Sequence, residues 1–291
     1  MKKPNFFIIG APKCGTTSLA NWLKEHPNIY MPTHPKEPMF FDSDITKHSM
    51  SLSSYENLFR DANESHTAVG EASTTYLRSK VAVKRILEYS PNARFIVTIR
   101  NPVEMAISGH SQMLYTLYED IEDFQEAGKA QEDRKNGLRI PKNCKEQSHR
   151  LLYGEVCKIG DQLDKVYQSV SQENIKVIFL DDIKNHPAQI YRETLEFLNV
   201  QNDNRQNFEA ANTRKKPKTY LLSQVLYTLG LIKKKIGLNG VNTGILSRIH
   251  KWNQVPKNKE LLESSFKKEL IDYFRSEEHT SELQSPMYLV C

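Results

Sequence analysis

Nowhere does the chain reach the run of about eighteen apolar residues that a membrane-spanning helix requires, and Met1-Lys-Lys-Pro-Asn leads into a short strand-like run instead of a signal-peptide core. The sequence therefore reads as soluble, with no stable membrane insertion. Cysteine is scarce too. The four cysteines, Cys14, Cys144, Cys157 and Cys291, form no CxxC pair and no metal-ligand spacing, so neither a metal site nor a disulfide framework is expected, and the reducing cytoplasm fits best. Charge of one sign is also missing. A net charge of +5 suits an anionic ligand or an acidic acceptor but falls short of the basic stripe of a nucleic-acid binder, so no nucleic-acid partner is expected. There is no internal repeat, and nothing in the composition speaks to oligomeric state. What remains, 38% apolar and 26% charged residues over 291 positions, is enough for a sizeable core.

That core is organised by alternation. Asn5-Phe-Phe-Ile-Ile-Gly10 is a short apolar run ending at a glycine, a buried strand in pattern. After a loop, Leu19, Trp22 and Leu23 fall on one helical face and His26-Pro27 stops the pattern, which predicts a helix over about Thr16 to Glu25. The same order recurs as a helix over Ser79 to Tyr89, the strand Arg94 to Ile99 and a helix opening at Asn101-Pro102. A helix from about Gly154 to Tyr167 precedes the strand Ile175 to Leu180, and Ile190, Tyr191, Thr194, Leu195 and Leu198 make a further amphipathic face. Such alternation implies an α/β fold, a doubly wound and mostly parallel sheet covered by helices on both faces.

Glu119 to Arg150 breaks the pattern: dense in charge and carrying Gly128, Gly137 and Pro141, it reads as a solvated helix-and-loop insertion. Asn258 to Phe274 is again amphipathic. The last seventeen residues, from Arg275, look like the translation of a common sequencing adapter, so one domain is expected over 1–274 with a non-native tail at 275–291.

The chemistry gathers at the loop after the first strand, Gly10-Ala-Pro12-Lys13-Cys14-Gly15-Thr16-Thr17-Ser18. A strand feeding a glycine-bounded loop that opens a helix aims backbone N–H groups and the positive end of the helix dipole at one point, which suits an anion. Gly10 and Gly15 have P-loop spacing, yet Thr16 stands where a nucleotide triphosphatase places its lysine, and the loop's lysine is Lys13. An ATP- and Mg²⁺-dependent kinase is thereby disfavoured. Cys14 has no partnered base and reads as a spectator. Arg100, just past a strand end, and Ser108, two turns along the next helix, form a second anion site suited to another phosphate.

With these linked motifs the chain resembles the family of sulfotransferases that use 3′-phosphoadenosine 5′-phosphosulfate, especially the bacterial members and the Golgi-type carbohydrate enzymes. The resemblance covers most of residues 5 to 274 and continues through Tyr153-Gly154-Glu155 and Phe197-Leu198. It implies a P-loop-NTPase-like three-layer sandwich, that nucleotide as co-substrate, no metal, and an acceptor hydroxyl, most readily of a glycan. It also implies that Pro12 to Ser18 bind the 5′-phosphosulfate with Lys13 as catalytic lysine, that Arg100 and Ser108 bind the 3′-phosphate, and that Arg214 and Lys215 lie on a loop closing over the nucleotide. Glu37, in Lys36-Glu37-Pro38-Met39-Phe40-Phe41-Asp42, precedes an aromatic pair and by itself would be an ordinary loop carboxylate; the resemblance makes it the base that deprotonates the acceptor. His34 and His110 are alternative bases outside any family motif. Gly70-Glu71-Ala72-Ser73-Thr74-Thr75-Tyr76 departs from Golgi-type relatives, which carry a lysine where Ala72 stands. A non-catalytic nucleotide-binding module would keep Lys13, Arg100 and Ser108 but tolerate loss of Glu37.

Overall fold

A computed structural model describes residues 2–47, 50–209, 215–219, 222–223, 225–226, 228–229, 248–249, 252–256 and 262–278. They group into two compact units, Met1–Met105 with Cys157–Asn212 and Glu269–Cys291, and Ala106–Val156 with Thr213–Lys268.

In the first unit, β1 (Phe6–Gly10) is apolar throughout because it is the middle strand of a five-stranded parallel sheet, buried on both faces. On one side it pairs with β3 (Ala68–Ala72), which pairs with the two-residue β2 (Ile29–Tyr30). On the other it pairs with β4 (Arg94–Ile99), which pairs with β5 (Ile175–Phe179). Phe6, Ile8, Ile96 and Ile178 point to one face, where α1 (Thr16–Lys24) lays Leu19, Trp22 and Leu23 and α10 (Pro187–Phe197) lays Ile190, Tyr191 and Leu195. Phe7 points the other way, against Phe41 and Phe95, towards a cluster of Tyr55, Tyr76 and Tyr89. Both faces are covered, as a doubly wound sheet requires.

The helix expected over Ser79 to Tyr89 begins at Ala82, as α3 (Ala82–Tyr89), because the Ser79 hydroxyl accepts from the amides of Val81 and Ala82 and turns the chain first. Leu180 does not extend β5; it opens a short helix, α9 (Leu180–Asn185). The helix expected over Gly154 to Tyr167 is two helices, α7 (Tyr153–Val156) and α8 (Ile159–Tyr167), separated at Cys157-Lys158 where Lys158 has non-helical ψ of 64°.

The second unit takes over partway along α4 (Pro102–Tyr115) and includes α5 (Phe124–Lys129), α6 (Gln131–Lys135) and the 3₁₀ stretch Lys142–Leu151. The charged 119–150 segment carries helices and loops, but its centre is not solvated. Arg134 Nη2 lies 2.7 Å from Glu119 Oε1, both side chains wholly buried, and the Tyr153 hydroxyl donates to Glu119 Oε2 at 2.7 Å. A two-stranded antiparallel sheet pairs β6 (Lys215–Pro217) with β7 (Gln254–Pro256). The C-terminal helix runs over Ser264–Glu278; residues 257–261 and 279–291 lie outside the described residues. Among the described residues no helix is long and apolar enough to cross a membrane.

Candidate active site

The loop is shaped by backbone before any side chain acts. Lys13 and Gly15 both have positive φ, 67° and 91°, and Gly15 is the N-cap of α1, its carbonyl accepting from the amides of Ser18 and Leu19. A side chain at Gly15 would also meet Leu180 Cδ1 at 2.8 Å, so α9 presses on this turn from behind. The Ala11 amide donates to Thr98 O at 2.7 Å and the Thr98 hydroxyl to Gly10 O at 3.3 Å, which fastens the start of the loop to β4. The amides of Thr16 and Thr17 stand at the positive end of the helix, an arrangement suited to an oxyanion. Pro12, Lys13, Gly15, Thr17 and Ser18 are half-buried around it and Thr16 is buried.

Cys14 is turned inward. Its Sγ sits 3.5 Å from Pro12 O and 3.8 Å from Met105 Sδ, and burial pushes the thiol up to about 12 against the pull of Arg100 and Lys13. At neutral pH it is a protonated packing residue.

Arg100 reaches back from the end of β4. Its Nη1 donates to Lys13 O at 3.2 Å, its Nη2 pairs with Glu104 Oε2 at 2.7 Å, and its buried Nε has no partner. A guanidinium nine-tenths buried with an orphaned donor fits an anion, since a phosphate oxygen would satisfy it. Ser108 is buried on α4. Arg214 lies outside the described residues; Lys215 opens β6, and its side chain is not among those described.

The segment carrying Glu37 is tied to both neighbouring elements. Lys36 Nζ donates to Thr17 Oγ1 at 3.1 Å, on the first turn of α1, and the Thr74 hydroxyl donates to Glu37 Oε2 at 3.1 Å, just past β3. Glu37 is half-buried, open enough to meet a ligand. The aromatic pair after it packs beneath the segment: Phe40 stacks on Tyr55 at 4.5 Å between ring centres, and Phe41 meets Phe7, Tyr55, Tyr76 and Tyr89. Asp42 is buried and accepts from Thr75 and Thr46 at 2.5 and 2.9 Å, which closes the turn.

The alternative bases differ in burial. His34 is exposed beside Pro35, while His110 is fully buried with Nε2 2.8 Å from Ile121 O and its ring against Phe124 and Tyr153, a packing role. Ala72 packs on the α1 side of the sheet. Lys36 is a cation at the loop that sequence reading passed over; nothing in its position marks it, because an exposed lysine beside a proline-rich turn has no pattern. Among the described residues no three His, Cys, Asp or Glu side chains gather as a metal site.

The sulfotransferase domain family matches residues 3–235. Relatives include a bifunctional heparan sulfate N-deacetylase/N-sulfotransferase 1 of Caenorhabditis briggsae, 23% identical over 205 residues, or 68% of this chain and 23% of that protein. A human heparan sulfate glucosamine 3-O-sulfotransferase 6 is 32% identical over 111 residues, 38% of this chain and 31% of that protein. The chain thus spans less than a third of the length of these curated relatives. A crystal structure of a sulfotransferase from Alicyclobacillus acidocaldarius, 27% identical, superposes with a TM-score of 0.63 over 79% of this chain and 92% of that one. With most of its length matched by the sulfotransferase domain, the chain belongs to the sulfotransferase family.

Proposed function

We propose that this sulfotransferase takes its sulfuryl group from 3′-phosphoadenosine 5′-phosphosulfate and delivers it to an acceptor hydroxyl, most readily one on a carbohydrate. The observation that carries the reading is the double attachment of the 36–37 segment: Lys36 to Thr17 on α1 and Glu37 to Thr74 beyond β3, which sets a carboxylate beside an anion cradle. When bound, the donor supplies the sulfuryl group and leaves as a bisphosphate. The chain's own residues divide the work. The loop amides and Lys13 hold the anionic oxygens at the start of α1 and stabilise charge growing on the leaving oxygen. Arg100, released from Glu104, takes the second phosphate, with Ser108 on α4 as its candidate partner and Arg214 and Lys215 as candidate contacts of a closing loop. Glu37 takes the proton of the hydroxyl whose oxygen attacks sulfur in line with the leaving phosphate.

A sugar acceptor is supported by the heparan sulfate enzymes among the relatives, and the 119–150 segment is the proposed seat of acceptor specificity. The cytoplasm as compartment belongs to the same proposal and is supported by the buried free thiols of Cys14, Cys144 and Cys157. The division of labour is testable in two variants. Lys13→Ala is expected to lower kcat by roughly 10²- to 10³-fold, the usual loss for one charge-stabilising donor, with little change in donor KM. Arg100→Ala is expected mainly to raise donor KM. Near-normal turnover by the Lys13 variant in steady-state kinetics overturns the assignment.

A further inference from the structure

Glu71 lies on β3 opposite Phe7 of β1, on the aromatic face of the sheet, and is 1% exposed. It accepts three hydroxyl hydrogen bonds: from Tyr55 and Tyr76 at Oε1, 3.1 and 2.8 Å, and from Ser73 at Oε2, 2.6 Å. Two of those hydroxyls also face the segment that carries Glu37. The Met39 amide donates to Ser73 Oγ at 2.9 Å, and the amides of Phe40 and Phe41 donate to the Tyr76 oxygen at 2.9 and 3.4 Å.

The proton directions follow from the backbone. An N–H can only donate, so the oxygens of Ser73 and Tyr76 are acceptors towards residues 39–41, and their own protons must go elsewhere. Both go to Glu71. A carboxyl group has acceptor sites on two oxygens, here Oε1 towards Tyr76 and Oε2 towards Ser73, so one buried group orders both hydroxyls. Thr74, between Ser73 and Tyr76 in sequence, supplies the direct bond to Glu37. Residues 73, 74 and 76 therefore grip 37, 39 and 40 through side chains alone, with Glu71 behind them.

We propose that Glu71 is a positioning residue for Glu37: by taking the hydroxyl protons of Ser73 and Tyr76 it turns both oxygens towards the amides of Met39 and Phe40 and so sets where the base stands. The proposal rests on the reading of Glu37 as the base. A glutamine at 71 could still accept at its Oε1, but its NH₂ would turn a donor towards Ser73 where Oε2 now accepts, leaving the serine proton without that acceptor. A mere packing role for Glu71 would be indifferent to that exchange of acceptor for donor.

The test uses the full chain with Glu71→Gln, Tyr76→Phe and the milder Ser73→Ala. Hydrogen exchange of the 37–42 amides is followed by mass spectrometry, affinity for 3′-phosphoadenosine 5′-phosphate by calorimetry, and transfer kinetics with N-sulfated heparosan as acceptor. The expected result is exchange at residues 39–41 about tenfold faster or more, since their acceptors are lost or loosened. It is accompanied by a kcat lower by roughly tenfold to a hundredfold, the usual effect of a slightly misplaced group, with nucleotide affinity within about twofold. Combining Tyr76→Phe with Glu37→Gln should lower kcat no further than Glu37→Gln alone. Full kcat in both Tyr76→Phe and Ser73→Ala, or a double variant slower by the product of the two losses, overturns the positioning role while leaving Glu37 as base. Unchanged transfer by Glu37→Gln alone overturns the base assignment, and the positioning role with it.

Discussion

Burial sets the proton affinity of the groups around the loop, and its consequences differ from residue to residue. Cys14, pushed up to about 12, is removed from chemistry. Glu71 is driven from an ordinary 4.5 up to about 7 by burial, with the donors Ser73, Tyr76 and Tyr55 pulling it back and Asp42 adding to the rise. Tyr55 and Tyr76, which face it, are themselves held well above the usual phenol range by burial and then by Glu71. The folded state thus binds the Glu71 proton more tightly than the unfolded chain does. Its contribution to stability is complete below pH 4.5 and is lost as pH rises through about 7. Glutamine at 71 cannot ionise, so the melting temperature of Glu71→Gln minus that of the parent is expected to increase from pH 5 to pH 8 in calorimetry; parallel curves would contradict it. Glu104 acts on the same scale, holding Arg100 Nη2 at 2.7 Å while Nη1 donates to Lys13 O.

At the scale of elements, strand β1 and its loop depend on a few close approaches. Gly15 combines a φ of 91° with a Leu180 methyl 2.8 Å from where a Cβ would stand. Gly15→Ala is accordingly expected to cost about 1–3 kcal/mol in urea unfolding and to weaken nucleotide binding as well, because the same turn aims the loop amides; a variant as stable and as tight-binding as the parent would contradict this. Legibility divides along the same lines. β1, α1, β4 and α10 were readable because their apolar residues repeat with the period of the element. β3 was not, because Ala68-Val-Gly-Glu-Ala holds one large apolar residue and a buried carboxylate, and its strand identity comes from pairing with β1 and β2. The 119–150 segment misled for a related reason: the buried Glu119 and Arg134 pair with each other, and composition cannot distinguish a paired charge from a solvated one.

On the scale of the whole molecule, the loop and Arg100 were legible as separate motifs and Glu37 only through the resemblance, and the fold brings the loop next to Arg100 through Lys13 O and next to the Glu37 segment through Lys36. What the sequence could not supply was the hidden layer behind them, Glu71 with its three hydroxyls, since a glutamate's burial depends on partners distant in the chain. The domain match shows the family, while the proposed transfer, with its donor and acceptor, rests on the site. Both are decided by one measurement, incubation of the full chain with ³⁵S-labelled 3′-phosphoadenosine 5′-phosphosulfate and a panel of glycans, phenols and lipid alcohols, beside a parallel incubation with ATP and Mg²⁺. Label transferred to a glycan hydroxyl, with no ATP turnover, is the result expected; ATP turnover without label on any acceptor would contradict the account.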